Sequence, residues 1–172
     1  QKETEQHAAF LRFCCDDGGV VTLHGRTPFR HQVHCAARLI AKRRTTPWAQ
    51  RKAALLAAHD TGTGKTLTSI LAAAAVAKLR SEEGSTAPQL FVVNKSILHQ
   101  WTHAFASWTD AERWTVAVAG NQRELTSAAF ASADVVLTTP ETLVAAWKRF
   151  MEKVPGARAG TFASWSRKLP TS

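Results

Sequence analysis

The 172-residue sequence predicts an α/β fold built on a doubly wound, mainly parallel sheet. Three observations carry this expectation. Short apolar runs alternate along the chain with segments whose apolar residues recur at helical spacing. The runs are apolar at successive rather than alternate positions, the pattern of strands buried on both faces. One such run, residues 53–58, leads through His59-Asp60-Thr61-Gly62-Thr63-Gly64-Lys65-Thr66 into an Ala/Leu-rich stretch, which is the strand, glycine loop, helix order of a phosphate-binding turn.

Taken in order, residues 1–13 read as a short helix or ordered arm. A turn follows at Asp16-Asp17-Gly18-Gly19, then a small strand over 20–23. Pro28 introduces a helix whose apolar residues Val33, Ala36, Ala37, Leu39 and Ile40 keep helical spacing, and Lys42-Arg43-Arg44 suit the negative end of its dipole. Beyond it, strands are expected at 53–59, 90–94, 115–119 and 135–138. Helices are expected at 65–80, at 96–106, near 124–131, and from 140 to about 152. Residues 81–88 form a polar connection, and 154–172, without a clear period, read as a loop or frayed tail. The expected organisation is an N-terminal arm (1–26), one main domain (27–153) and the tail (154–172).

A hydrophobic content of 45% with 20% charged residues is that of a globular chain and argues against global disorder. The sequence begins at Gln1, as expected of a piece of a longer protein or a processed one. The net charge of +9 is uneven: Lys and Arg outnumber Asp and Glu 10 to 4 over residues 1–58 and 6 to 1 over 142–172, while 59–141 carries 6 against 8. Excess positive charge at both ends suits a polyanion, although a solvated basic surface has the same composition. Three cysteines without metal-ligand spacing point to reduced thiols in an intracellular protein. His31, His34 and Cys35, or His99 and His103, are conceivable metal ligands, but no second pair accompanies either set. No apolar stretch is long enough to span a bilayer.

The loop carries the chemistry. Gly62 and Gly64 can adopt positive φ and let the backbone approach phosphate oxygens, so that consecutive N–H groups point inward. Lys65 adds a positive charge. Thr66, in the first helical turn, can offer its hydroxyl to Mg²⁺ above the positive end of the helix dipole. A full G-x-x-x-x-G-K-[ST] pattern wants Gly where this chain has His59, so the expected loop is the shorter T-G-x-G-K-T kind. A glycine-rich turn with no ligand is the alternative.

The segment Leu90-Phe91-Val92-Val93-Asn94-Lys95-Ser96-Ile97-Leu98-His99-Gln100-Trp101-Thr102-His103-Ala104-Phe105-Ala106-Ser107-Trp108 resembles a motif of the Swi/Snf-type DNA translocases, V-P-x-S-L-L-x-Q-W-x-x-E-F-x-x-W. Asn94 stands in place of Pro and Ala104 in place of Glu. Ile97, Trp101, Phe105 and Trp108 also form one apolar helix face. Asp134-Val135-Val136-Leu137-Thr138-Thr139-Pro140-Glu141-Thr142-Leu143 is similar to the V-V-I-T-T-Y-E-T-L segment of the same family, and Thr138 with Glu141 has capping-box spacing. Pro28-Phe29-Arg30-His31-Gln32 resembles its L-R-P-Y-Q, with Arg30 where Pro is usual. An ordinary helix start containing a polar Gln is the local alternative.

The resemblance covers roughly residues 27–143. It implies a partial RecA-like ATP-binding domain of a superfamily-two, helicase-like ATPase, nuclear, acting on double-stranded DNA with a second RecA-like lobe. It implies ATP and Mg²⁺ as cofactors, held by Asp60, Thr61, Gly62, Thr63, Gly64, Lys65 and Thr66, with Gln32 reading the adenine edge and Lys65 serving catalysis. It implies nucleic-acid contacts by Lys95, Ser96, Gln100, Thr138 and Thr139. No Asp-Glu dipeptide occurs in the sequence, and Asp110 and Asp134 do not end apolar strands, so hydrolysis is not expected of these residues alone. A viral, restriction-type or RNA helicase, or a non-catalytic nucleotide- or nucleic-acid-binding module, stands as the alternative.

Overall fold

The computed structural model describes residues 2–15, 19–45, 62–82, 84, 88–121 and 123–153. The predicted strand at 53–59, loop residues Asp60 and Thr61, the turn at 16–18 and the tail from 154 lie outside the described residues. The chain divides into two compact units, one of residues 1–85 with 104–110 and the other of 86–103 with 111–172.

The first unit is helical. Helices α1 (Lys2–Cys15), α2 (Arg30–Thr45) and α3 (Lys65–Glu82) pack against one another. Every position from Ile70 to Ala75 of α3 is buried, so this stretch is enclosed on all sides, and its four consecutive alanines leave room for close approach of neighbouring backbone. Val33, Ala36 and Ile40 of α2 join Ile70 and Leu71 in the buried set. The C-terminal end of α1 is tied to α3 by Lys78, whose ammonium donates to the Phe13 carbonyl (3.3 Å) and lies 4.5 Å from the centre of the Phe13 ring. A cation at that end favours the helix dipole.

The small strand expected over 20–23 reduces to one antiparallel bridge, Val21 with Thr109. It is cut short by a turn in which His24 (φ 49°) and Gly25 (φ 73°) are both left-handed.

The second unit holds the sheet. Strands β1 (Gln89–Val92), β2 (Val116–Ala119) and β3 (Val135–Thr138) are parallel, in the order β1-β3-β2. Leu90, Val136 and Ala117 stand in register, as do Phe91, Leu137 and Val118. Successive residues face opposite sides of a sheet, so the first row and the second face different layers. The first row packs with Phe130 of α5 (Ser127–Ser132) and with Leu143, Ala146 and Trp147 of α6 (Pro140–Lys153). On the second side, Phe91 meets Trp101 of α4 (Leu98–Trp108), ring centres 5.5 Å apart. Helices thus lie on both sides of the sheet; all four residues of central β3 are buried, as its apolar run predicted, whereas Val92 of β1 and Val118 of β2 remain exposed.

Two boundaries shift for local reasons. The helix expected from 96 opens as a 3-10 turn over Lys95–Ile97 before α4 begins, because Asn94 caps it: the Asn94 side-chain oxygen accepts from the Ser96 N–H at 3.2 Å. The helix expected near 124–131 starts at Ser127, capped by Thr126. Glu124 is drawn instead into a turn, where its carboxylate accepts from the Gly120 N–H (2.7 Å) and from Asn121.

Candidate functional site

In the first unit, the glycine turn feeds directly into α3. Gly62 (φ 82°) and Gly64 (φ 77°) are both left-handed, a conformation that costs a residue with a Cβ about 1–2 kcal/mol. At Gly64 a Cβ would also collide with the Gln32 side-chain amide, whereas at Gly62 nothing lies within 4 Å. Between them, the Thr63 carbonyl accepts two hydrogen bonds from the start of α2, one from His31 Nε2 and one from Gln32 Nε2, each 2.9 Å. A carbonyl only accepts, so the His31 nitrogen carries its proton there. Within one peptide unit C=O and N–H point in opposite directions, so anchoring the Thr63 carbonyl on α2 turns the Gly64 N–H away from α2. The Gly64 carbonyl accepts from the Thr68 N–H (3.1 Å) and closes the first turn of α3.

Lys65 is exposed and Thr66 half-buried. A cleft of about 430 Å³ is walled by Gly62, Gly64 and Thr66 of the turn, and by Arg26, Phe29 and Trp108. Gln32 also borders it. Only 4% of Gln32 is exposed, and its amide is doubly engaged, accepting from the Phe29 N–H (2.9 Å) while donating to Thr63. A primary amide has a second N–H and a second carbonyl lone pair. Sequence reasoning missed three groups here. His31, a conceivable metal ligand and a member of the L-R-P-Y-Q-like segment in the sequence, is a strut for the turn. Arg26 lies 5.5 Å from the centre of the Trp108 ring, a pairing between residues too far apart in sequence to be read from it. Phe29, given no role in the sequence although it stands in the segment that resembles L-R-P-Y-Q, is 67% exposed with its ring stacked on His31.

The predicted nucleic-acid contacts fall in the second unit, at the C-terminal edge of the sheet. Lys95, Ser96 and Gln100 are all exposed there. Thr138 and Thr139 are different. They are 0% and 1% exposed, and their hydroxyls serve the fold: Thr138 donates to the Ala119 carbonyl (2.9 Å) and Thr139 to the Thr142 hydroxyl (3.1 Å). Thr142 in turn donates to the Gly120 carbonyl and, through its backbone N–H, to the Thr139 hydroxyl. These bonds withdraw both hydroxyls from the surface and move the helix cap one residue on, from the expected Thr138 and Glu141 to Thr139 and Thr142. The Glu141 carboxyl is held below its ordinary range by bonding to its own backbone N–H, then by Thr139, and by the nearby Lys95 ammonium. At the opposite edge, Asp134 accepts from the Thr115 N–H (2.8 Å). Among the described residues, no group of three His, Cys, Asp or Glu side chains converges on a metal position, and no helix is long and apolar enough to cross a membrane.

A left-handed glycine turn at the head of an 18-residue helix, and a parallel sheet with helices on both sides, define the class: an incomplete α/β lobe of the RecA-like kind. The chain matches the SNF2-related domain over residues 31–165, most of its length, and belongs to that family. No curated protein matches the chain.

Proposed function

We propose that this chain is the ATP-binding portion of an ATP-dependent DNA translocase of Swi/Snf type. The observation that carries the reading is the Gly62–Gly64 turn, its Thr63 carbonyl anchored on α2 by His31 and Gln32, at the N-terminus of α3. In this reading the backbone amides of the turn and the helix dipole receive the phosphates, and Lys65 neutralises their outer oxygens. Asp60 and Thr61, which precede Gly62 in the sequence, are the other residues assigned to the phosphates in this reading. The second N–H and lone pair of Gln32 meet the adenine edge.

The donor set fits Mg²⁺. Thr66 brings a hard hydroxyl oxygen to the cleft wall, and phosphates and water supply the other ligands such an ion prefers. When bound, Mg²⁺ neutralises phosphate charge. Lys95, Ser96 and Gln100 contact the backbone of double-stranded DNA from the sheet edge, while Thr138 and Thr139 hold that edge in shape. A second RecA-like lobe and a nuclear location complete the proposal. With no Asp-Glu pair in the sequence, this chain binds nucleotide without turning it over.

The test is calorimetric titration of wild type and Lys65→Ala with ATP and Mg²⁺. Expected are binding to wild type, at least tenfold weaker binding to the variant, and no phosphate release from either. Equal affinities remove the phosphate-loop assignment.

A further inference from the structure

We propose that Phe29 is the platform on which the base of the bound nucleotide stacks, with the Arg26 and Trp108 pair contributing another wall of the same base site. The inference rests on the phosphate-loop reading and adds the recognition of the base. Phe29 is a large apolar side chain left 67% exposed, yet it borders the cleft that the glycine turn also walls. Its position is fixed from two directions. His31 lies nearly parallel to its ring, 12° between planes and 5.7 Å between centres, and its backbone N–H donates to Gln32.

Both of these partners also hold the Thr63 carbonyl, so the ring and the phosphate turn form one hydrogen-bonded assembly. A ring held in place before the ligand arrives loses little freedom on binding. The Arg26 guanidinium, 5.5 Å from the centre of the Trp108 ring, offers a flat cationic surface, and guanidinium planes and aromatic faces both receive heteroaromatic rings. A purine has the larger π surface and is the base class this site takes.

The experiment compares ATP, CTP and inorganic tripolyphosphate, each with Mg²⁺, as ligands in calorimetric titrations of wild type, Phe29→Ala, Phe29→Trp and Lys65→Ala. A stack of this kind corresponds to roughly three- to tenfold in affinity. Wild type is expected to bind ATP more tightly than CTP or tripolyphosphate. Phe29→Ala should lose about that factor for ATP and keep its tripolyphosphate affinity, and Phe29→Trp should restore ATP binding. Lys65→Ala should weaken all three ligands. Should Phe29→Ala fail to fold, Phe29→Leu, which keeps apolar bulk without a π face, is expected to show the same selective loss. The proposal is overturned if the Phe29 variants leave ATP affinity unchanged or lower ATP and tripolyphosphate equally. It is overturned too if wild type does not distinguish ATP from tripolyphosphate, an outcome that leaves the phosphate loop standing. Failure of wild type to bind either of them removes both readings.

Discussion

At the scale of single residues, two glycines with the same backbone sign have different reasons to be glycine. Gly62 needs only its positive φ, since a methyl group there meets nothing. Gly64 needs both φ and the space occupied by the Gln32 amide. Gly62→Ala is therefore expected to cost about 1–2 kcal/mol by denaturant unfolding. Gly64→Ala should cost more and should also weaken ATP binding, because Gln32 must leave Thr63; equal effects of the two substitutions would contradict this. Cys14 offers a second residue-scale prediction. None of the three cysteines is in a disulfide, and burial, followed by the neighbouring Cys15, pushes the Cys14 thiol up from 9.0 to about 12. The folded state then holds a proton that the unfolded chain releases, so the stabilisation is complete below pH 9 and is lost as pH rises toward 12. The loss is at most about 1.4 kcal/mol per pH unit across that window. Unfolding curves at pH 8 and pH 11, with Cys14→Ala as the control lacking this slope, check it.

At the scale of elements, the start of α6 and the end of β3 are one device. Thr139 caps the helix with its hydroxyl, Pro140 occupies the first helical position where no N–H is needed, and Thr142 ties the cap to Gly120 beyond β2. Thr139→Ala is expected to destabilise the protein by about 1–2 kcal/mol, with Thr139→Ser recovering most of it, measured by thermal unfolding. The apolar run of central β3 was legible in the sequence because a strand buried on both faces cannot alternate; β1 and β2 show similar runs although Val92 and Val118 are exposed. The burial of Thr138 was not, because what satisfies its hydroxyl is the Ala119 carbonyl on a neighbouring strand, and a cross-strand partner leaves no local signal. The glycine turn was legible for the opposite reason, as its conformational demand is met by the residues themselves. The groups that anchor it, His31 and Gln32, were visible as polar residues in a helix start, but their shared target, Thr63, is set only by the packing of α2 against α3.

At the scale of the whole chain, the charge of +9 bears on the partner, since a polyanion bound by lysines releases counterions and its affinity falls with salt. Net charge alone attracts any polyanion; a contact at a defined place changes the slope. Lys95 is exposed at the C-terminal edge of the sheet, close enough to the Glu141 carboxylate for its charge to act on it. If the edge meets a phosphate backbone, Lys95→Ala should lower affinity for double-stranded DNA and reduce the magnitude of the slope of log K against log salt by about 1. Glu141→Gln should act in the other direction, because it removes a negative charge that competes with phosphate for Lys95. A salt titration of both variants on one duplex, by fluorescence anisotropy, reads the two effects together. An unchanged slope in Lys95→Ala would assign the binding to the basic chain ends instead of this edge.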